Sequence, residues 1–266
     1  MSSAFLRAYL DRIGQPESGP PTTDTLRRLH AAHVDAIPFE NLDILLGRGI
    51  HLDLDHLREK LIARRRGGYC FEQNTLFLAA LEAVGFTTAA LEARVRTGAS
   101  SLLPRTHMAI VVTIGAEQWL ADVGFGGEGL REPVRLTGDE TPFSAGLAHR
   151  VVREGDLLVL QGRHVLDAAW SDQYAFTLQP AHPVDFEVAN WYTSTHPTSR
   201  FVRTLTAQRV TPDVRHVLRY PRLSEIDERG VRTREIGREE LMPLLRGVFG
   251  VDLPDNTVFP AIDRAG

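Results

Sequence analysis

The sequence has a single cysteine, Cys70, so no disulfide can form within the chain, in keeping with a reducing compartment. It also has no apolar run approaching the roughly 18 residues of a membrane span. Arg7, Asp11 and Arg12 interrupt the N-terminal stretch, which therefore lacks the apolar centre of a signal peptide. Excess positive charge is missing too: 30 basic against 34 acidic residues leave a net charge of −4, with no general attraction to nucleic acid or anionic lipid. There is no internal repeat and no low-complexity segment. These absences point to a cytoplasmic protein with no nucleic-acid partner and no membrane partner. What is present is 266 residues, 43% of them hydrophobic, enough for sizeable cores in one large domain or two to three small ones.

The hydrophobic period changes along the chain. Phe5, Leu6, Tyr9, Leu10 and Ile13 share one helical stripe, ended by Gly14 and Pro16; Leu26, Leu29, His33, Val34 and Ile37 share a second, stopped at Pro38. A third helix is expected from Asp53 to Arg65 and a fourth from Cys70 to Gly85, after the break at Gly67-Gly68. From residue 86 the period becomes two. Strands are expected at 87–96, 107–114, 117–123, 149–153, 157–161, 172–178, 201–210 and 214–220, with turns at Gly115-Ala116 and Glu154-Gly155-Asp156. Helices are expected at about 185–194 and 238–249. The reading is α+β, a helical bundle followed by antiparallel sheet and a mixed C-terminal part.

A lone cysteine is more often a buried small hydrophobe than a nucleophile. Cys70 has a different setting, because Gly67-Gly68 permits a sharp turn and Cys70 stands where the next helix begins. Unpaired amides and the helix dipole there favour a thiolate and a developing oxyanion. Among ten histidines, His30 and His33 fall on a helix where packing or surface roles are expected, while His149, His164 and His216 fall in strands with no evident acidic partner. If Gly115-Ala116 is a two-residue turn, facing residues have numbers that sum to about 231. His107 then faces Gly124, and Asp122 lies diagonally across on the same face, within bridging reach. That suits an acid orienting an imidazole, and it equally suits a plain sheet hydrogen bond.

The run Arg66-Gly67-Gly68-Tyr69-Cys70-Phe71-Glu72 resembles the nucleophile signature of arylamine N-acetyltransferases. Further blocks resemble the same family: Ile37-Pro38-Phe39-Glu40-Asn41-Leu42, Thr106-His107-Met108, Asp122-Val123-Gly124-Phe125-Gly126-Gly127, and Trp191-Tyr192-Thr193-Ser194-Thr195-His196-Pro197, the last in actinobacterial form. The resemblance implies three parts: a helical bundle over 1–85, a β-barrel-like domain over 86–184 and an α/β lid over 185–266, around a cysteine-protease-like core. It implies acetyl-coenzyme A as donor, Cys70 as nucleophile, His107 as base, Asp122 as orienting acid, and an arylamine, arylhydroxylamine or hydrazine as acceptor. It further implies an acceptor pocket of Phe39, Tyr69, Val95, Phe125 and Phe201, and coenzyme A contacts at Gly124, Gly126 and Gly127. Gly124, Gly126 and Gly127 would leave Phe125 in an open loop. No metal is expected. The segment 96–105 is shorter than in many relatives, and no oligomeric state is assigned. Arg66 and Glu40 are expected to form a buried pair that holds the Cys70 turn. Rival readings are a macrolactam-forming amide synthase of the same superfamily, a cysteine hydrolase, and a non-enzymatic binder of aromatic compounds.

Overall fold

The computed structural model describes residues 3–260. Helices α1 (Ser3–Arg12) and α2 (Thr23–Ala36) carry the two expected stripes, and Phe5, Tyr9, Leu10, Leu26, Leu29 and Val34 are buried in one core with Leu76, Phe77 and Leu81. Thr22 starts α2 by accepting the Thr25 amide at 3.3 Å. Pro38 stops it, since the residue before a proline is forced out of the helical region, and Ile37 is extended. A two-residue strand β1 (Phe39–Glu40) and a short helix α3 (Leu42–Leu45) follow.

The expected helix over 53–65 is broken in two. Asp53 accepts the His56 amide at 3.1 Å and caps α4 (Leu54–Leu57), which widens into a π-helical turn over Arg58–Ala63. Helix α5 (Cys70–Val84) ends at Gly85, whose φ of 101° is left-handed.

Seven strands make an antiparallel sheet: β2 (Thr87–Val95), β3 (His107–Ile114), β4 (Glu117–Ala121), β5 (Val134–Arg135), β6 (Leu147–Glu154), β7 (Leu157–His164) and β8 (Ser171–Pro180). Their order is β5-β4-β3-β2-β8-β7-β6, and β5 lies against β6, so the sheet curls into a nearly closed barrel around Leu91, Leu120, Val151, Leu160 and Phe176. The turn at Gly115-Ala116 sets the anticipated register, with Ile114 opposite Glu117 and Ile110 opposite Ala121.

The remainder is α6 (Pro183–Thr195), α7 (Arg200–Arg203), β9 (Thr206–Val210), β10 (Arg215–Arg219), β11 (Arg222–Asp227), β12 (Gly230–Glu235) and α8 (Arg238–Gly247). A second sheet, β1-β9-β10-β11-β12, joins Phe39 to Gln208 and so binds the first third of the chain to the last. The α+β architecture is the one expected. Two strand assignments are corrected. Residues 201–205 are not strand, because the Ser199 hydroxyl accepts the Phe201 amide and starts the single turn of α7. The strand expected at 117–123 ends at Ala121, since Asp122 and Val123 bond to side chains instead of a neighbouring strand. The β11–β12 hairpin was not foreseen; all of β12 but Gly230 is exposed, so its sequence carries no alternation to read.

Candidate active site

Cys70 is the first residue of α5, where helical amides have no partner within the helix, and it is 4% exposed. The turn before it is held by charge. Arg66 donates to Glu40 Oε1 at 3.0 and 2.6 Å and to Asp43 Oδ1 at 3.3 Å. Lys60, placed by the π-helical turn, bonds Asp43 at 2.8 Å and Glu72 at 2.7 Å. The other oxygen of Glu72 accepts the Tyr69 amide at 3.1 Å, half of a capping box at the start of α5. Burial opposes the charge on Lys60, but Glu72, Glu40 and Asp43 outweigh it and raise its pKa. Burial raises the Glu72 pKa, with Lys60 pulling against it. The expected Arg66–Glu40 pair is thus part of a larger buried network.

Gly67 and Gly68 serve packing more than turning. A Cβ on Gly67 would stand 2.1 Å from the Pro38 carbonyl oxygen, and one on Gly68 would stand 2.7 Å from Glu72. The left-handed residue here is Arg65, at φ 52°.

His107 opens β3 and Asp122 follows β4. His107 Nε2 meets Asp122 Oδ2 at 2.7 Å, and both side chains are buried. Nδ1 therefore faces away from Asp122, while Cys70 Sγ lies 3.9 Å from the carbonyl oxygen of Thr106, the residue before His107, and Cys70 is near enough to act electrostatically on the imidazole. Burial pulls the His107 pKa down, but the charge and hydrogen bond of Asp122, helped by Cys70, raise it to about 9. Burial acts upward on Asp122, yet His107, Asn74 and the Gly124 amide hold its pKa below the ordinary carboxylate value.

Cys70 and His107 face a cavity of about 400 Å³ whose lining also includes Phe39, Val95, Phe125 and Phe201, with Asp122 buried behind His107. Tyr69 does not line it. That ring is fully buried behind Phe201, at 5.6 Å between centroids, and its hydroxyl donates to Asn190 of α6. Phe125 is not in an open loop either; it is 7% exposed and stands edge-on to His107 at 5.0 Å. Gly124 and Gly126 line the cavity and Gly127 does not. A Cβ on Gly124 would lie 2.8 Å from Cys70 Cα, so only glycine lets this loop approach Cys70 so closely.

Three further residues shape Asp122. Asn74 donates to Oδ1 at 2.8 Å, Tyr174 donates to Oδ2 at 2.8 Å, and His30 Nε2 accepts the Asp122 amide at 3.1 Å. Asn74 shares the helix of Cys70, four residues on, which is the signal that the two share a face. Nothing in the sequence pointed to His30 or Tyr174. His164 does have an acid, Glu128, at 2.9 Å, and His216 approaches Glu225 at 3.6 Å, contrary to expectation; both acids come from other strands or loops. Among the described residues one group of potential metal ligands occurs, exposed His51, Asp53 and His56, and none of these lines the cavity of Cys70.

The chain packs a barrel-like sheet on a helical bundle, with Cys70 and His107 lining one cavity, and the N-acetyltransferase family profile matches its residues 22–258. The chain is 43% identical to the arylamine N-acetyltransferase / N-hydroxyarylamine O-acetyltransferase of Salmonella typhimurium, covering 79% of this chain and 75% of that one. It is 39% identical to the arylamine N-acetyltransferase of Mycolicibacterium smegmatis, over 94% and 93% of the two chains. The solved structure of the Mycobacterium marinum arylamine N-acetyltransferase in complex with CoA superposes with a TM-score of 0.85 at 34% identity, over 98% of this chain and 94% of that one. The chain belongs to the arylamine N-acetyltransferase family and is an acyltransferase. No described helix is long and apolar enough to cross a membrane.

Proposed function

We propose that this enzyme moves an acetyl group from acetyl-coenzyme A, through a thioester on Cys70, to an arylamine, arylhydroxylamine or hydrazine. The observation that carries the reading is the buried 2.7 Å contact between His107 and Asp122 behind a cavity that Cys70 and His107 line together with Phe39, Phe125 and Phe201. In the first half-reaction Cys70 Sγ attacks the thioester carbonyl. The carbon–sulfur bond to coenzyme A breaks, and the departing thiolate takes the proton held by His107. In the second, the amine nitrogen attacks the Cys70 thioester, passes a proton to His107 and expels the Cys70 thiolate. The oxyanion is met by amides of the first turn of α5. Segments 1–85, 86–184 and 185–266 supply the nucleophile, the base with its acid, and the lid, in a cytoplasmic enzyme. Phe39, Val95, Phe125 and Phe201 hold the acceptor ring, with Tyr69 positioning Phe201, and Gly124, Gly126 and Gly127 border the donor.

Intact mass spectrometry after mixing with acetyl-coenzyme A tests this. One acetyl adduct should form on the wild type, persist until an arylamine is added, and be missing from Cys70→Ala. An acetylated Cys70→Ala protein overturns the reading. An adduct that decays without amine makes the protein a hydrolase.

A further inference from the structure

Arg200 opens α7 and Arg219 ends β10. The two come together in a cleft of about 180 Å³ completed by Phe39, Gly126, Thr204 and Thr206. Phe39, Gly126 and Arg200 also line the cavity of Cys70, so cleft and cavity adjoin. No acidic residue lines the cleft. Among the described residues neither guanidinium has a hydrogen-bond or ion-pair partner, whereas Arg203, on the same turn as Arg200, donates to the Pro197 carbonyl at 2.6 Å.

Both arginines are held in place without being neutralised. The Arg200 guanidinium stands 4.7 Å over the ring of Phe201. Arg219 Nη2 lies against Gly127, where a Cβ would come within 2.7 Å of it, so the glycine makes room for the cation. Arg200 and Arg219 are both exposed at the mouth of the cleft; desolvation and Arg219 lower the pKa of Arg200, and Cys70 acts the other way. Two exposed like charges with no carboxylate beside them repel each other only weakly through solvent, but together they attract an anion. Two guanidinium forks and two threonine hydroxyls can all donate, the set that a tetrahedral phosphate accepts.

We propose that Arg200 and Arg219 form a phosphate-binding subsite that holds a phosphate group of the acyl donor while its thioester lies at Cys70. This rests on acetyl-coenzyme A being the donor, and it assigns donor recognition to side chains beyond the glycine loop.

The test compares acetyl-coenzyme A with S-acetylpantetheine, which carries the same thioester and no phosphate. The quantity read is the ratio of kcat/KM for the two donors. It should be at least about tenfold in the wild type, as expected for charge-assisted hydrogen bonds. It should collapse toward one in Arg219→Gln and in Arg200→Gln, chiefly through KM for acetyl-coenzyme A, and recover in part in Arg219→Lys. An unchanged ratio in both glutamine variants overturns the subsite. So does a parallel fall with both donors, which would mean that the arginines act on Cys70 or on folding. Inorganic phosphate should compete with acetyl-coenzyme A in the wild type and lose potency in Arg219→Gln. Tight phosphate binding that leaves acetyl-coenzyme A uninhibited would assign the cleft to free phosphate and overturn the donor role. Acetylation of Cys70 by S-acetylpantetheine remains visible by mass in every case, so failure here is separable from failure of the thioester mechanism.

Discussion

The backbone amide of Asp122 donates to Nε2 of His30 at 3.1 Å, while Nδ1 of the same ring reaches the Arg131 carbonyl at 3.0 Å. Only the neutral imidazole with its proton on Nδ1 satisfies both contacts. The Asp122 backbone is therefore seated on a histidine that must stay uncharged.

Stability should consequently peak near pH 6.5, falling on both sides. Burial lowers the pKa of His30 and of His149 to about 4 and that of His33 to about 3. Below the ordinary value of about 6.5 the unfolded chain takes up these protons first, so stability falls by about 1.4 kcal/mol per pH unit for each proton, down to the folded values. His107 has the opposite sign. With its pKa raised to about 9, its contribution is complete below about 6.5 and is lost as pH rises toward 9. Urea midpoints across this range check the shape. His107→Gln should flatten the alkaline limb and leave the acid limb, and an alkaline limb unchanged in that variant would remove the ion pair from the account.

Asp122→Asn should lower the rate of Cys70 acetylation by between about 10² and 10⁴, the upper figure being that of the comparable change in a serine protease. Each carboxylate oxygen has two donors facing it: Asn74 and the Gly124 amide at Oδ1, and His107 and Tyr174 at Oδ2. An amide must turn its NH₂ toward one of those pairs, so either the support breaks or His107 is driven to the wrong tautomer. Stopped-flow acetylation, with circular dichroism as a check on folding, measures the loss. A folded variant at the wild-type rate would show that Asp122 does not orient the base.

Arg66→Ala should cost about 3–5 kcal/mol, because Glu40 and Asp43 lose their shared cation while Glu40 stays fully buried. Lys60 reaches Asp43 and Glu72 but has no hydrogen bond to Glu40, so it is a partial substitute. Arg66→Lys should fall between, since one ammonium replaces a fork donating through Nε and Nη2. Chemical unfolding gives the figure directly. A midpoint within experimental scatter of the wild type would contradict the role of this network in holding the Cys70 turn.

Local chemistry decided the parts that could be read along the chain. The stripes of α1 and α2, the stop at Pro38, the start of α5 at Cys70 and the register across Gly115-Ala116 follow from periods and from backbone rules acting over a few residues. The His107–Asp122 contact was legible for the same reason, because a tight turn ties two positions fifteen residues apart. Only the tertiary structure could show that β1 joins strands from the far end of the chain, that His30 and Tyr174 hold Asp122, or that Lys60 completes the Arg66 network. Those contacts connect separate elements, and no spacing in the sequence encodes which buried donors meet which acceptors. Tyr69 and Phe125 illustrate the limit: both stand in recognisable blocks, yet one supports the pocket from behind and the other packs on the His107 ring, because burial is set by what the rest of the fold brings against them.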